Sequence, residues 1–279
     1  MPMSIAIEST LALIVAAGIG VGTYRYIGDA RVGKGLAVAS LLWLVIDAIW
    51  LRGSTALIRW IPWADLIVLA DFTPFAVAVL AGVLLRLSKG HWLYRSSFAA
   101  ILVVSCLIYS YAELLRPRPS MYARWRNGVC LQSSDASCSA AAAATLLTLH
   151  GITASESEMA ELCFTGDDGT SLQGVYRGLA IKTAGTPWRV EAFTGDTSTL
   201  HDRSSPALLS VGLGRWQTAD PRYSRDWGWA PGSLHSVVFL GFADQDKVDM
   251  ADPKVGREQW FVQGLTDLWK GQGFRLVPR

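Results

Sequence analysis

Residues 128–151 read Gly-Val-Cys-Leu-Gln-Ser-Ser-Asp-Ala-Ser-Cys-Ser-Ala-Ala-Ala-Ala-Ala-Thr-Leu-Leu-Thr-Leu-His-Gly. The alanine run has strong helix propensity, and Gly151 stands where a helix end favours a left-handed residue. Cys138 therefore lies at the N-terminus of a predicted helix, where the macrodipole and unpaired backbone N–H groups favour thiolate over thiol. The pattern makes Cys138 a candidate nucleophile, and the alternative is a buried structural cysteine.

Two further elements would bring partners to this cysteine. Gln132 stands six residues before Cys138, and its side-chain amide could stabilise an oxyanion together with the backbone N–H of Cys138. His235 opens the apolar run His-Ser-Val-Val-Phe-Leu-Gly-Phe, which predicts a buried strand, and Asp252 ends the next predicted strand. A hairpin of these strands, turning at residues 244–246, would place imidazole and carboxylate together, where the carboxylate orients the base.

In this order, these features resemble the double-glycine leader peptidase family, the papain-like cysteine peptidases known from bacteriocin-exporting transporters. The similarity covers residues 126–278. The segments that carry it are Gln132, Cys138, His150-Gly151, Gly169-Thr-Ser-Leu-Gln-Gly174, Ala184-Gly185, the strand at His235, Asp252-Pro253 and Trp269-Lys-Gly-Gln-Gly-Phe-Arg-Leu276. The resemblance implies that Cys138 is the nucleophile, Gln132 the oxyanion donor, His235 the general base and Asp252 the orienting carboxylate.

The resemblance also implies an α+β fold, with helices packed on an antiparallel sheet. The helices are expected at residues 139–150, 155–164 and 171–184, the second with a Ser155/Glu158 capping box. The strands are expected at residues 188–193, 207–213, 235–243, 247–251 and 259–262.

Three features depart from the family. Ser137 and Ser139 flank the nucleophile where Asp and Gly are common, and no P-loop sequence is present, so no ATPase domain is expected. The segment at residues 194–233, rich in Trp, Asp and Arg, separates the strands widely and is expected to form a lip that faces the substrate or the membrane.

The N-terminal part has the composition of a membrane domain. The chain of 279 residues is 51% hydrophobic, and the excess lies in the first 115 residues. A bilayer span needs about 20 apolar residues, and the stretches that qualify are 5–24, 35–51, 66–87 and 97–115, with an interfacial segment at 56–63. We therefore predict an all-α bundle of about four transmembrane helices over residues 1–119 and a papain-like cysteine peptidase domain over residues 120–279.

The charges suggest an orientation and possible sites within the membrane. The first span has no basic residue before it and three soon after it, which favours both termini and the peptidase domain outside the cytoplasm. The first span also lacks the basic start and cleavage site of a secretory signal and is expected to be retained. Glu8, Asp47 and Asp71 are candidate functional carboxylates, and the alternative is that they lie at interfaces or pair with polar neighbours.

The remaining residues indicate no cofactor. Cys130 and Cys163 could form a disulfide if the domain is extracytoplasmic and are otherwise small buried residues, whereas Cys106 lies in a span. The histidines outside the site lack the spacing of a zinc site, so we expect no metal; they are His91, His150 and His201. The net charge of +2, with scattered Lys and Arg, argues against a nucleic-acid surface.

The sequence thus predicts a membrane-anchored cysteine peptidase that cleaves a peptide or protein through a thioester, in a multi-pass protein of the bacterial cytoplasmic membrane. Its expected partners are its substrate and the lipid bilayer, and a membrane-protein partner stays open. Two alternatives use the same residues. One is an inactive peptidase-like module that binds a peptide, and the other is an acyl or amide transferase with the same Cys-His-Asp site.

Overall fold

The computed structural model describes residues 2–51, 55, 58, 73–115, 117–122, 124–201, 206–215 and 220–279. Side chains are described for the same residues except 2–9, 50, 51 and 109–115. The chain divides into two compact units, Met1–Arg116 and Pro117–Arg279.

The N-terminal unit is all-α in the part that the structure describes. Its helices are α1 (Pro2–Tyr26), α2 (Ala30–Ile46), α3 (Thr73–Leu87) and α4 (Trp92–Leu115), and a π-helical turn at Asp47–Leu51 continues α2. α3 packs against each of the other three helices. A Cβ on Gly82 of α3 would come 2.6 Å from the carbonyl oxygen of Gly20 in α1, so both glycines allow this close crossing. Small residues at crossings are typical of helices that pack within a bilayer.

Within the described residues, one helix is long and apolar enough to cross a membrane, at Ala30–Ile49, and only 17% of it is buried. α1 has 25 residues and α4 has 24, but their described apolar stretches, Thr10–Tyr26 and Trp92–Ile108, fall short of that length. The predicted interfacial segment and the start of the predicted third span lie mostly outside the described residues. One of the four predicted spans therefore meets the criterion, and the four-helix membrane bundle stays a prediction.

Asp47 is the predicted intramembrane carboxylate whose surroundings are described. Its side chain is 2% exposed, and the Thr73 hydroxyl donates to its Oδ2 at 3.3 Å, from α3 to the start of the π-helical turn. This contact agrees with the alternative in which the carboxylate pairs with a polar neighbour. Asp71 and the side chain of Glu8 lie outside the described residues.

The C-terminal unit is α+β, as predicted. Its helices are α5 (Cys138–Leu149), α6 (Glu156–Leu162), α7 (Leu172–Thr183), α8 (Thr197–His201), α9 (Arg222–Arg225) and α10 (Val262–Leu268). Its strands are β1 (Arg124–Arg126), β2 (Val129–Leu131), β3 (Trp188–Thr194), β4 (Ala207–Gly212), β5 (Leu234–Phe242), β6 (Lys247–Asp252), β7 (Gly256–Phe261) and β8 (Trp269–Pro278).

Six of these strands form one antiparallel sheet in the order β3-β8-β4-β5-β6-β7, and β1 and β2 form a separate hairpin. α5 packs across β4 and β5, and its five alanines, residues 140–144, are all 0% exposed. Because alanine is small, the helix axis can lie close to the sheet, and this brings the start of α5 to the start of β5.

β8 was missed among the predicted strands, although it lies in the middle of the sheet between β3 and β4. Its segment contains Gly271 and Gly273, and glycine is depleted in strands. The atoms close to Gly273 explain why this position is a glycine. A Cβ at that position would stand 2.7 Å from the Leu208 carbonyl oxygen and 2.9 Å from the Phe193 ring. Tertiary packing therefore requires glycine where strand propensity alone disfavours it.

The predicted capping box forms only in part. The Ser155 hydroxyl accepts the backbone N–H of Glu158 at 3.1 Å, whereas the Glu158 carboxylate bonds to Lys182 at 2.8 Å instead of returning to Ser155. Cys130 and Cys163 are both free and buried, so the non-disulfide alternative describes them, and burial raises the pKa of each thiol to about 12.

Candidate active site

Cys138 is the first residue of α5, and its side chain is 8% exposed. Ser137 precedes the helix but makes no capping hydrogen bond with its side chain, because its hydroxyl bonds to the Ser134 carbonyl at 3.0 Å. The first-turn N–H groups of a helix have no intrahelical acceptors, so the sulfur lies beside donors and the positive end of the helix dipole. This is an environment that favours a thiolate.

The β5–β6 hairpin brings His235 and Asp252 together. His235 lies at the start of β5, where it pairs with Val211 of β4, and Asp252 is the last residue of β6. The His235 Nε2–H donates to Asp252 Oδ1 at 2.9 Å. The same oxygen accepts the backbone N–H of Lys254 at 2.7 Å, and the carboxylate is 8% exposed, so its orientation is fixed from two sides.

Cys138 interacts with the imidazole of this His235–Asp252 pair. Interactions with the His235 side chain, the backbone of Ser236 and the side chain of Ser139 all lower the pKa of the Cys138 thiol. Because Nε2 of the imidazole is bonded to Asp252, Nδ1 is the ring nitrogen left for the sulfur. Three of the four predicted site residues therefore lie in one connected group.

The two titrating groups shift each other's pKa. Burial raises the pKa of the Cys138 thiol, but the hydrogen bond and the charge of His235 outweigh burial, and the pKa falls below its usual 9.0. Burial lowers the pKa of His235, but the bonds to Asp252 and Cys138 outweigh it, and the pKa rises from 6.5 to about 10. The lowered thiol pKa and the raised imidazole pKa both favour the thiolate–imidazolium pair, which is the reactive state of a nucleophilic cysteine.

Gln132 lies at the same end of the sheet. Its backbone N–H donates to the carbonyl of Pro253, the residue after Asp252, at 2.8 Å. Its side-chain Nε2 donates to the Ser134 carbonyl at 2.8 Å, which leaves the second hydrogen of this nitrogen for another acceptor. The amide is held within its own loop, and its role as an oxyanion donor stays a prediction.

Two serines near the sulfur were not assigned a role from the sequence. The hydroxyls of Ser139 and Ser236 lie 2.8 Å apart and are buried between α5 and β5. When Ser236 donates to Ser139, the Ser139 hydrogen can point to the sulfur. Ser139 had been noted only as a departure from the family, and its place one residue after the nucleophile was the available signal.

The predicted lip contributes an aromatic wall. Trp229 packs edge-on against the His235 ring with centroids 5.9 Å apart, and it meets Trp260 of β7 in the same manner at 5.9 Å. The segment is held in place because Trp229 donates its backbone N–H to the Tyr223 carbonyl at 2.9 Å. Within the described residues of 194–233, this is the part that faces the candidate site, and the sequence signal was the local excess of tryptophan.

The chain was compared with known proteins. No family model and no curated protein sequence matches it. Among solved structures, it is similar to the peptidase domain of Streptococcus ComA, a bi-functional ABC transporter involved in a quorum sensing pathway. Identity is 18%, 53% of this chain and 96% of that chain are covered, and the TM-score is 0.41.

It is also similar to a double glycine motif protease from an AMS/PCAT transporter in complex with the leader peptide. There the identity is 15%, with 59% of this chain and 99% of that chain covered and a TM-score of 0.43. The peptidase domain of Streptococcus mutans ComA matches at 18% identity over 54% of this chain and 99% of that chain, with a TM-score of 0.38. With identity this low, we base the function on the residues of this chain.

Proposed function

We propose that the chain is a membrane-anchored cysteine peptidase that cleaves a peptide or protein substrate through a thioester at Cys138. The observation that best supports this is the series formed by Cys138 at the N-terminus of α5, His235, which lowers the pKa of Cys138, and Asp252, which accepts a hydrogen bond from His235. A buried structural cysteine needs no such series. Cys130 and Cys163 illustrate the difference, because burial raises their pKa whereas the pKa of Cys138 is lowered.

In the first half of the reaction, the Cys138 thiolate attacks the carbonyl carbon of the scissile peptide bond. A C–S bond forms, and the carbonyl electrons move to oxygen. The imidazolium of His235 then donates its proton to the leaving nitrogen as the C–N bond breaks, and this releases the amine product and leaves a thioester. The Asp252 carboxylate holds the imidazole ring and stabilises its charged form.

In the second half, His235 is neutral and acts as a base. It takes a proton from a water molecule, whose oxygen attacks the thioester carbonyl. The C–S bond breaks, the acid product leaves, and the thiolate–imidazolium pair is restored. In both halves a negative oxygen forms, and we assign its stabilisation to the backbone N–H of Cys138 and the side-chain amide of Gln132.

The proposal is tested with purified full-length protein and a library of quenched fluorescent peptides that includes sequences with Gly-Gly before the cleaved bond. We expect cleavage by the wild type and a loss to background in Cys138→Ala. The matched control is Cys163→Ala, since Cys163 is also buried and its sulfur packs against Gly178 of α7. Equal cleavage by the wild type and Cys138→Ala would exclude the proposed function.

The products separate the two alternatives. A peptide that binds without being cut, in wild type and Cys138→Ala alike, identifies a binding module. A product in which the acyl group has passed to an added amine in preference to water identifies a transferase.

The membrane part of the proposal depends on the N-terminal unit. We propose that its helices form a bundle of about four spans, with the peptidase unit outside the cytoplasm of a bacterial cell. Support comes from the candidate span at Ala30–Ile49 and from the basic residues that follow α1. A membrane-impermeant thiol probe should label Cys138 in intact cells, whereas labelling only after permeabilisation would place the unit on the cytoplasmic side.

A further inference from the structure

Glu156 is a carboxylate with 0% exposure that the proposed chemistry does not use. It is the first residue of α6, and both oxygens of its carboxylate accept hydrogen bonds from Ser133. One oxygen accepts the Ser133 backbone N–H at 2.6 Å, and the other accepts the Ser133 hydroxyl. Burial of a carboxylate is unfavourable unless hydrogen bonds compensate for lost water, and hydrogen bonds to a charged group are the strong ones.

Ser133 is fixed from its other side as well. The backbone N–H of Tyr122 donates to the Ser133 hydroxyl at 2.6 Å, and that hydroxyl lies 2.8 Å from the Tyr122 carbonyl oxygen. Glu156 and Tyr122 therefore hold this one residue between them, although the segment around it, residues 132–137, has neither helical nor strand structure. We name residues 132–137 the serine loop.

The hydrogen bond between the Ser133 N–H and Glu156 also constrains Gln132, because one peptide group links the two neighbouring residues. The N–H of Ser133 and the carbonyl of Gln132 belong to the same planar unit, so the bond to Glu156 fixes the rotation of that plane. The backbone N–H of Gln132 is fixed in turn by the Pro253 carbonyl at 2.8 Å. With both peptide planes of Gln132 held, the direction in which its side chain leaves the backbone is set.

The position of the Gln132 side-chain amide depends on the backbone of the serine loop. Its Oε1 is buried and has no hydrogen-bond partner within the described residues, and its Nε2 bonds only to the Ser134 carbonyl of the same loop. No neighbouring element holds the amide by itself, so its position follows from the backbone of the serine loop.

We infer that Glu156 is a positioning residue, which holds the serine loop through Ser133 so that the Gln132 amide faces the oxyanion. The inference rests on the proposed peptidase function. Glu156 holds the loop in place without touching the substrate. Its removal should therefore lower the rate of the chemical step more than it weakens peptide binding.

The test compares Glu156→Gln with the wild type on the best-cleaved peptide of the fluorescent library. Removal of one oxyanion donor lowers kcat by about 10²–10³ in a well-studied protease, so a loosened donor should lower it by about tenfold or more, with KM changed by less than about twofold. The matched control is Glu161→Gln, which removes the same charge from the same helix at a side chain that is 73% exposed. This control should keep the wild-type kcat.

Two further measurements separate positioning from loss of folding. Alkylation of Cys138 by iodoacetamide forms no oxyanion, so Glu156→Gln should keep the wild-type alkylation rate while kcat falls. In a double-mutant cycle, Gln132→Ala alone should lower kcat by about 10²-fold, and adding Glu156→Gln should lower it by less than about threefold more.

Ser133→Ala keeps the N–H bond to Glu156 and removes the hydroxyl bond, so a smaller loss of kcat is expected. If Glu156→Gln does not fold, Ser133→Ala becomes the test variant. A wild-type kcat in Ser133→Ala would then overturn the inference. A wild-type kcat in folded Glu156→Gln, or fully additive effects with Gln132→Ala, also overturns it. Failure of the proposed function is a different result, in which the wild type itself cleaves no better than Cys138→Ala.

Discussion

Cys138 and His235 are both charged only over a limited pH range, and pH should separate their contributions. The pKa of Cys138 is lowered from 9.0, and the pKa of His235 is raised from 6.5 to about 10. The charged pair thus exists between the lowered thiol pKa and about pH 10. Since the folded-state pKa of His235 exceeds its unfolded value, its contribution to stability is complete below about pH 6.5 and is lost as the pH rises through about 10.

We therefore predict that iodoacetamide labels Cys138 of the full-length protein well below pH 9, with a rate that rises through the lowered thiol pKa and then levels off. Cys130 and Cys163 are internal controls, because their pKa values of about 12 keep them as thiols over the same range. Peptide mapping by mass spectrometry identifies the labelled residue. Labelling of Cys138 only above pH 9 would contradict the assignment of a thiolate.

Asp252→Asn should shift the pH dependence of Cys138 alkylation, because Asp252 acts on His235. Asparagine keeps an oxygen that can accept from His235 and Lys254, but it removes the negative charge that raises the pKa of His235. The pKa of His235 should fall, the thiolate should lose part of its stabilisation, and the alkylation midpoint should move to higher pH. We expect peptide cleavage to fall by about 10- to 100-fold, within the range of general acid–base contributions.

Asp249→Asn is the matched control for this change. Asp249 lies on the same strand, β6, and bonds to Gln259 on the opposite side from the site. Its variant should keep the wild-type pH profile. The same shift in both variants would mean that the effect comes from strand stability and not from the carboxylate beside His235.

The sequence could indicate these residues because each has a local signal. Cys138 precedes an alanine run, and His235 and Asp252 lie at the ends of two consecutive predicted strands whose pairing brings them together. Ser236 has no such signal, and the excess of tryptophan around Trp229 does not show which tryptophan meets His235. Ser236 meets Ser139 from a segment that is distant in the chain, and both this contact and that of Trp229 with His235 depend on side-chain packing that periodicity does not encode.

Helix α7 packs against α6 through glycines, and this gives a physical reason for the Gly169–Gly174 segment quoted from the sequence. A Cβ on Gly174 would stand 2.2 Å from the Cys163 carbonyl oxygen, which is a backbone atom and cannot turn away. Gly178 faces the same residue, because its Cβ would stand 2.3 Å from the Cys163 sulfur. The two helices can approach this closely only without side chains at these positions.

We predict that Gly174→Ala destabilises the C-terminal unit by about 1–3 kcal/mol through overpacking, although alanine favours a helix by about 1 kcal/mol relative to glycine. Urea unfolding followed by tryptophan fluorescence measures the change. Gly264→Ala in α10 is the control, because its Cβ would meet only the Tyr223 hydroxyl at 3.6 Å. That variant should be neutral or slightly stabilised, and equal losses in both would contradict the packing explanation.

The elements that the sequence predicted well are those whose own pattern agrees with their surroundings. The serine-capped helices α6 and α7 begin within one residue of the predicted starts, because Ser155 and Ser171 each accept a first-turn N–H. β8 shows the opposite case. Its Gly273 is required by Leu208 and Phe193 on adjacent strands, and these neighbours are identified only once the sheet is assembled.

The C-terminal unit should fold without the N-terminal unit. We predict that residues 120–279, expressed alone, are soluble, unfold in one cooperative transition and keep a reactive Cys138, since this unit has its own sheet and core. The full chain should sediment with membranes and resist carbonate extraction. Release of the full chain by carbonate would contradict the predicted membrane bundle.

The strand order affects how the sheet folds during translation. β8 lies between β3 and β4 but follows all the other strands of the sheet in the sequence. While a ribosome is still synthesising residues 269–278, the edges of β3 and β4 have no neighbour between them, and pairing must await a distant segment, which slows folding. The proposed peptidase should therefore stay unable to cut nearby chains until translation has passed β8, so that the order of synthesis itself would delay its activity.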